Sequence, residues 1–386
     1  MSTQRRSYFD WNATAPLRAE ARAAMQAALA ATGNASSVHA EGRAARALIE
    51  QARTDVAALV GAEAKTVIFT AGGTEANALA LTPQIEAGAD KALRGGLLVS
   101  AVEHPSVLAG GRFERVEIVP VDPQGRVDLV QLQKKVEEIA RPLVSVMLAN
   151  NETGVIQPIR EVAAIVHAAG GLLHVDAVQG AGRVACDMAA LGADLMTMSA
   201  HKIGGPQGAG ALVRRADLHF PAPLIRGGGQ ERNYRAGTEN VAAIAGFGAA
   251  ARAALAGREA AAARMAALRD RIEAGLRAES PDVVIFGAGA ERLPNTISFS
   301  KPGMKAETAI IAFDLNGIAV SSGSACSSGK VQPSHVLAAM GVDPALAGGA
   351  IRLSLGWDTT EDDAGNVLNA WRKVASALSK GRGIAA

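Results

Sequence analysis

Short apolar runs recur along this chain with helix-like stretches between them, and that alternation limits its fold more than any other feature. The runs are Thr66–Thr70, Leu97–Ala101, Val116–Val119, Leu143–Ala149, Leu172–Val175, Leu195–Met198 and Gly210–Val213. Several are separated by segments of helical periodicity, notably Asp128–Ala140 and Ile159–Ala169. Such a pattern implies an α/β unit, a mainly parallel sheet with helices on both faces. Ligands in such sheets sit at the carboxyl ends of the strands.

Around this unit the chain changes character. Tyr8–Ala15 is extended, Pro16–Ala31 is helical and stopped by Gly33-Asn34, and Glu41–Val60 is helical up to Gly61. Val241–Glu279 is rich in Ala, Arg and Glu and forms one long helix, with a break in it left open. Beyond it, Val283–Phe286, Asn295–Ser300, Ile318–Val320 and Ile351–Leu355 alternate with helices near Lys305–Leu315 and from Thr360, a smaller α+β pattern. The expected division is a large domain over 14–257 and a small domain made of 1–13 and 258–386.

The totals narrow the class of function. At 386 residues the chain can bury a large core. With 39 basic and 37 acidic residues the formal charge is +2, which argues against a general nucleic-acid binder. Two cysteines, Cys186 and Cys326, make neither a disulfide framework nor a CxxC metal site, and no metal is expected. The first ten residues lack the apolar stretch of a signal peptide, and no apolar run is long enough to span a membrane, so a cytoplasmic location is expected.

The chemistry-bearing residues follow the apolar runs. Leu195–Met198 leads into Ser199, Ala200, His201 and Lys202, then Gly204 and Gly205. A lysine so placed suits a Schiff base with a carbonyl cofactor, although a surface lysine at a turn has the same local sequence. Gly72, Gly73 and Thr74 open a helix after a strand, where free N–H groups and the helix dipole favour a phosphate. Asp176 ends a buried-looking strand and needs a cationic or hydrogen-bonding partner; a protonated pyridine nitrogen would be one, with Gln179 three residues on. His104 follows another strand and can stack on a ring, shuttle protons or stay solvated. Arg352, inside an apolar strand, suits bidentate carboxylate recognition or faces outward. Cys326 stands among Ser, Ala and Gly, a setting for a reachable thiolate, whereas Cys186 reads as inert. The basic, glycine-rich stretch 226–240 is an anion site, a crossing to a partner chain or a surface loop.

Together these stretches resemble the cysteine desulfurases of the class-V aminotransferase group of pyridoxal-phosphate enzymes. The likeness runs from Tyr8–Pro16 to Ile351–Gly356. It is most specific at the segments containing Asp176 and Gln179, His201 and Lys202, Arg235–Thr238 and Ser321–Cys326. The last of these is similar to the subgroup that serves iron–sulfur assembly. The resemblance implies an aspartate-aminotransferase-like fold with a seven-stranded sheet, and a homodimer. It implies that Lys202 holds pyridoxal phosphate and moves protons, Asp176 pairs with the ring nitrogen, Gln179 bonds the ring hydroxyl and His104 stacks on the ring. Gly73, Thr74, Ser199 and His201 would bind the phosphate, with Thr238 reaching it from a second subunit. Asn151 would orient the substrate, Arg352 with Asn34 would bind its carboxylate, and Cys326 would take the sulfur of L-cysteine as a persulfide for an acceptor protein. A selenocysteine lyase, or an aminotransferase or lyase in which Cys326 has no role, is the alternative. The chain departs from the commoner pattern at Ala35, Ala78 and Ala200, none of which carries an assigned role.

Overall fold

The structure, a computed structural model, describes residues 6–323 and 333–382. Seven strands form the central sheet: β1 (Val67–Thr70), β2 (Leu97–Ser100), β3 (Val116–Val119), β4 (Leu143–Ser145), β5 (Leu172–Asp176), β6 (Leu195–Ser199) and β7 (Gly210–Arg214). Their order across the sheet is β1-β7-β6-β5-β4-β2-β3. The pairs from β6 to β3 are parallel, and β7 alone runs against both its neighbours. The cause is the link Ala200–Ala209 between β6 and β7, which has no room for the helical crossover a parallel return requires.

Six of the seven strands are buried along their whole length, which is why they read as unbroken apolar runs; the edge strand β3 leaves Ile118 exposed. Side chains alternate between the two faces. Val67, Phe69, Met196 and Met198 join one core, while Ile68, Leu195 and Leu212 join the other. The first face is covered by α1 (Ala19–Ala30), α2 (Ala40–Leu59), α4 (Leu129–Glu137) and α5 (Ile159–Ala168), and the second by α3 (Gly73–Ala80).

The longest helix, α6 (Val241–Glu279), is continuous. Its N-terminal half lies against α1 and α2 so closely that a Cβ on Gly246 would stand 2.6 Å from Met25 Cγ, and one on Gly248 2.5 Å from Ala52 Cα. Glycine is required there by helix approach, which explains part of the Ala and Gly richness of the chain. Ala243–Ala254 belong to the first core, and Met265, Leu268, Ile272 and Leu276 to a separate one. Between them, residues 255–264 are all at least partly exposed.

That separate core lies under a four-stranded antiparallel sheet. Its strands are β8 (Val284–Ile285), β9 (Thr296–Ser300), β10 (Ser321–Ser322) and β11 (Ile351–Ser354), in the order β8-β9-β11-β10. Helices α7 (Ala306–Leu315) and α8 (Glu361–Arg382) complete it, with Phe299 and Phe313 packed on Trp371. The N-terminal segment belongs to this core: Ser7–Tyr8 pairs with Ile318–Ala319 and Phe9 is fully buried in it. Asp10 then bridges to Ser354, and the following residues reach the turn after β6, where the Ala15 N–H donates to the His201 carbonyl at 2.9 Å. No helix among the described residues is long and apolar enough to cross a membrane.

Candidate active site

The carboxyl ends of β4, β5 and β6 open on a cavity of about 300 Å³, bounded also by the start of α3, by Arg352 and by Asn12 and Ala13. Asp176, the last residue of β5, is 6 % exposed at its wall. Its Oδ1 accepts from the Val178 N–H at 3.0 Å and its Oδ2 from Asn77 Nδ2 at 2.9 Å. Asn77 is itself fixed, because its Oδ1 accepts from the Thr197 hydroxyl at 2.7 Å and its amide also donates to Ser106 Oγ at 2.9 Å. Buried polar atoms need such partners, and here they form one chain from β6 through α3 to β5.

The same chain ends on His104, which caps the helical turn Pro105–Leu108. Its Nδ1 lies 2.8 Å from Ser106 Oγ and accepts from the Ser106 N–H at 3.2 Å, which assigns the ring proton to Nε2. Burial lowers its pKa, Lys202 and His335 lower it further and Asp176 opposes them, so the ring is neutral near neutral pH.

Lys202 follows β6 in a short helical turn. Its Nζ donates to the backbone carbonyls of Asn12 at 2.6 Å and Ala13 at 2.8 Å. The N-terminal segment, anchored in the other core, thus sets the position of the amine. His201 lies beside it, with Nδ1 3.2 Å from Thr14 Oγ1. Burial, with help from the charges of Lys202 and Arg183, pushes its pKa down to about 4. Gln179 lies one short turn beyond Asp176; its Nε2 donates to the Asn12 carbonyl at 3.0 Å.

Arg352 is 1 % exposed, so it faces inward rather than outward on β11. One Nη donates to Asp10 at 2.7 Å and the other to the Asn151 carbonyl at 3.0 Å, while its buried Nε has no partner among the described residues. A buried guanidinium with an unused donor at a cavity wall has capacity left for an anionic ligand. At the other end, Gly73 and Thr74 begin α3. Gly72 provides no side-chain cap, which leaves the first N–H groups of the helix, with Ser199 and His201 alongside, for an anion.

The cavity therefore brings together Gly73, Thr74, His104, Asn151, Asp176, Gln179, Ser199, His201, Lys202 and Arg352 from six separate stretches of the chain. Asn34 and Thr238 are exposed and do not line it; Asn34 Oδ1 instead closes a local turn by accepting from the Ser36 N–H at 2.9 Å. Cys326 lies outside the described residues. On either side of residues 324–332, the Gly323 N–H donates to the Ala350 carbonyl at 3.0 Å and the Ser334 hydroxyl donates to Glu152. Cys186 is buried and its thiol is pushed up to about 12 by burial, which removes it from thiolate chemistry. The stretch 226–240 is pinned rather than loose at one point: Glu231, with φ 46°, is buried and receives both Nη groups of Arg53 at 2.7 and 2.8 Å.

Comparison with known proteins fixes the family. The class-V aminotransferase family matches residues 7–367. The chain belongs to the class-V aminotransferases, among the cysteine desulfurases. It is 40% identical over 381 residues to a cysteine desulfurase IscS of Dictyoglomus turgidum, covering 97% of this chain and 96% of that one. Its fold is similar to that of a NifS-like protein from Rickettsia africae, with a TM-score of 0.88, 34% identity, and coverage of 96% and 99%. It is also similar to SspA, solved in complex with cysteine, with a TM-score of 0.74, 27% identity, and coverage of 92% and 100%.

Class-V aminotransferases use pyridoxal phosphate, and the residues present fit that group. An amine, a carboxylate held by two hydrogen bonds, and uncapped helix N–H groups border one cavity. They match the three polar features of that cofactor: its aldehyde, its ring nitrogen and its phosphate.

Sequence reasoning missed Asn77, Ser106, Arg183, Asp10 and the carbonyls of Asn12 and Ala13. Asn77 lies one helical turn beyond Gly73, but its partners Asp176 and Thr197 stand 99 and 120 residues away, so the local sequence carries no signal for its role. The carbonyls carry no sequence signal, because any residue provides one.

Proposed function

We propose that the chain is a pyridoxal-phosphate-dependent cysteine desulfurase that takes L-cysteine to L-alanine and carries the sulfur as a persulfide on Cys326. The observation that carries this reading is the single cavity bordered by Lys202, Asp176, His104 and Arg352. The bound cofactor supplies an electron sink for the substrate carbon. The protein's own groups do the rest. Lys202 would anchor the cofactor and move a proton at the α-carbon. Asp176 would hold the ring nitrogen, Gln179 the ring oxygen and His104 the ring itself. Gly73, Thr74, Ser199 and His201 would hold the phosphate. Arg352, at the cavity wall, takes the substrate carboxylate and Asn151 orients the substrate; Asn34, exposed and outside the lining, is assigned to the same carboxylate.

The Cys326 thiolate attacks the substrate sulfur. An S–S bond forms and the C–S bond breaks, its electron pair stays on carbon, and a proton completes the methyl group of alanine. The loaded sulfur then passes to an acceptor protein for iron–sulfur assembly. Thr238, exposed on this chain, is assigned to the phosphate of a partner subunit in a homodimer. A reducing cytoplasm suits an enzyme whose working thiol must stay reduced. The border between a large domain, 14–257, and a small one, 1–13 with 258–386, is placed at the bare stretch of α6, where one core ends and the other has not begun.

Replacing Cys326 by Ala tests the reading. Alanine and sulfide production should vanish while the cofactor absorbance stays. Alanine formed from L-cysteine at the unchanged rate would remove Cys326 from the reaction.

A further inference from the structure

Arg183 is a buried arginine, 8 % exposed, that the proposed reaction leaves unused. Its four hydrogen bonds all go to neutral oxygens. One Nη donates to the Gln179 carbonyl at 2.7 Å and to Gln179 Oε1 at 2.5 Å; the other donates to the Lys202 carbonyl at 3.2 Å and the Trp11 carbonyl at 3.5 Å. Among the described residues no carboxylate lies within ion-pair distance of it. A buried cation without a counter-charge is costly, so its retention calls for a reason.

The reason lies in Gln179. A side-chain amide can present either its oxygen or its nitrogen to a cavity. Arg183 can only donate, so it fixes the amide oxygen on its own side. The NH2 group is thereby turned the other way. One of its hydrogens goes to the Asn12 carbonyl, and the second has no partner among the described residues, while Gln179 lines the cavity.

We infer that Arg183 is a positioning residue: it locks Gln179 as a donor toward an anionic ring oxygen of the cofactor and leaves its own positive charge uncompensated behind that donor. The inference rests on the reading of the site as a pyridoxal-phosphate site. The charged and titratable groups that share this environment are Asp176 from β5, His201 and Lys202 after β6, His104 after β2, Arg352 with Asp10 where β11 meets the N-terminal segment, and Arg18, which lines a second hollow with Arg183 and Lys202. Burial brings the Arg183 guanidinium down to about 10, with the Arg352 charge adding to it, so it stays charged at working pH.

Both effects of Arg183 act in one direction. A donor on the ring oxygen and a nearby positive charge each disfavour a proton on the covalent link between Lys202 and the cofactor. The test is a spectral pH titration of the loaded protein. In Arg183→Met the midpoint of the visible band should rise, by about one pH unit, since a nearby like charge disfavours the protonated form. Arg183→Lys, which restores a donor and the charge, should return it close to the parent value. A Met variant that folds, binds the cofactor and keeps the parent midpoint overturns the inference. Should that variant fail to fold, Gln179→Glu decides: it neutralises Arg183 and turns an acceptor to the ring, so the midpoint must again rise, and an unmoved midpoint overturns the inference. A parent protein with no visible band at all would instead sink the cofactor reading, and this inference with it.

Discussion

The two ends of the cavity are made of different material. At the Asp176 end the working atoms belong to side chains, and each is held by another: Thr197 holds Asn77, and Asn77 holds both Asp176 and Ser106. At the Thr74 end the donors are the backbone N–H groups that open α3 with the hydroxyls of Thr74 and Ser199 beside them, and the wall is open, bordering a second hollow of about 520 Å³. Side chains can carry charge and move protons, whereas a helix N-terminus can only bind. The first end should therefore govern turnover, and the second affinity.

The largest expected effect follows at the first end. Asp176→Asn removes the charge but keeps the shape, and kcat should drop roughly 10²–10³-fold, the range for deleting one preorganised electrostatic partner. Steady-state kinetics with L-cysteine measures it. A smaller and different effect is expected at the other end. Thr74→Ala should weaken cofactor binding by no more than about tenfold, in line with a single hydrogen bond of roughly 0.5–1.5 kcal/mol, and leave kcat of the saturated enzyme alone. A Thr74 variant that loses turnover like the Asp176 variant would erase the distinction between the two ends.

The smallest effect concerns stability. Burial holds the Glu152 carboxyl, next to Asn151, up at about 7 against an ordinary 4.5. The neutral acid is the form the fold accommodates. Its contribution is complete below pH 4.5 and is lost as pH rises through about 7. Glu152→Gln stays neutral, so between pH 5.5 and 8 its Tm should decline less than that of the parent, by roughly 2 °C. Glu103, pushed up to about 8 by burial, titrates in both proteins and cancels in the difference. Parallel Tm curves would show that Glu152 does not titrate in this window.

What could be read from the sequence was decided by burial and by strand ends. Leu195–Ser199 is legible because both faces are covered, and a lysine just past such a run has few structural reasons to be there. Asp176 is legible for the same reason. Asn77 was not, because its meaning depends on Asp176 and Thr197 being paired neighbours on adjacent strands, a long-range fact. Arg183 looks like a surface arginine until the turn carrying it is seen folded under Lys202. The direction of β7 was likewise hidden: its composition matches that of the parallel strands, and only the shortness of the preceding link sets it apart. Element ends shifted modestly. Leu143–Ala149, read as one run, is regular strand only to Ser145; beyond it the Val146 and Leu148 N–H groups still bond β5, at 3.1 and 2.8 Å, while Met147 and Ala149 line the cavity.

Helix α6 has a mechanical consequence. It is 39 residues long, roughly 58 Å at about 1.5 Å per residue, and it is rooted in one core by its first half and in the other by its second. Pulling the two cores apart would mean bending or snapping this rod. Its middle hands over from one core to the other, with Leu255 packed on the first and Ala261 on the second. Arg352 lies on a strand of the core at one end of that rod and Lys202 follows a strand of the other, so a rigid shaft fixes how the two halves of the cavity are spaced.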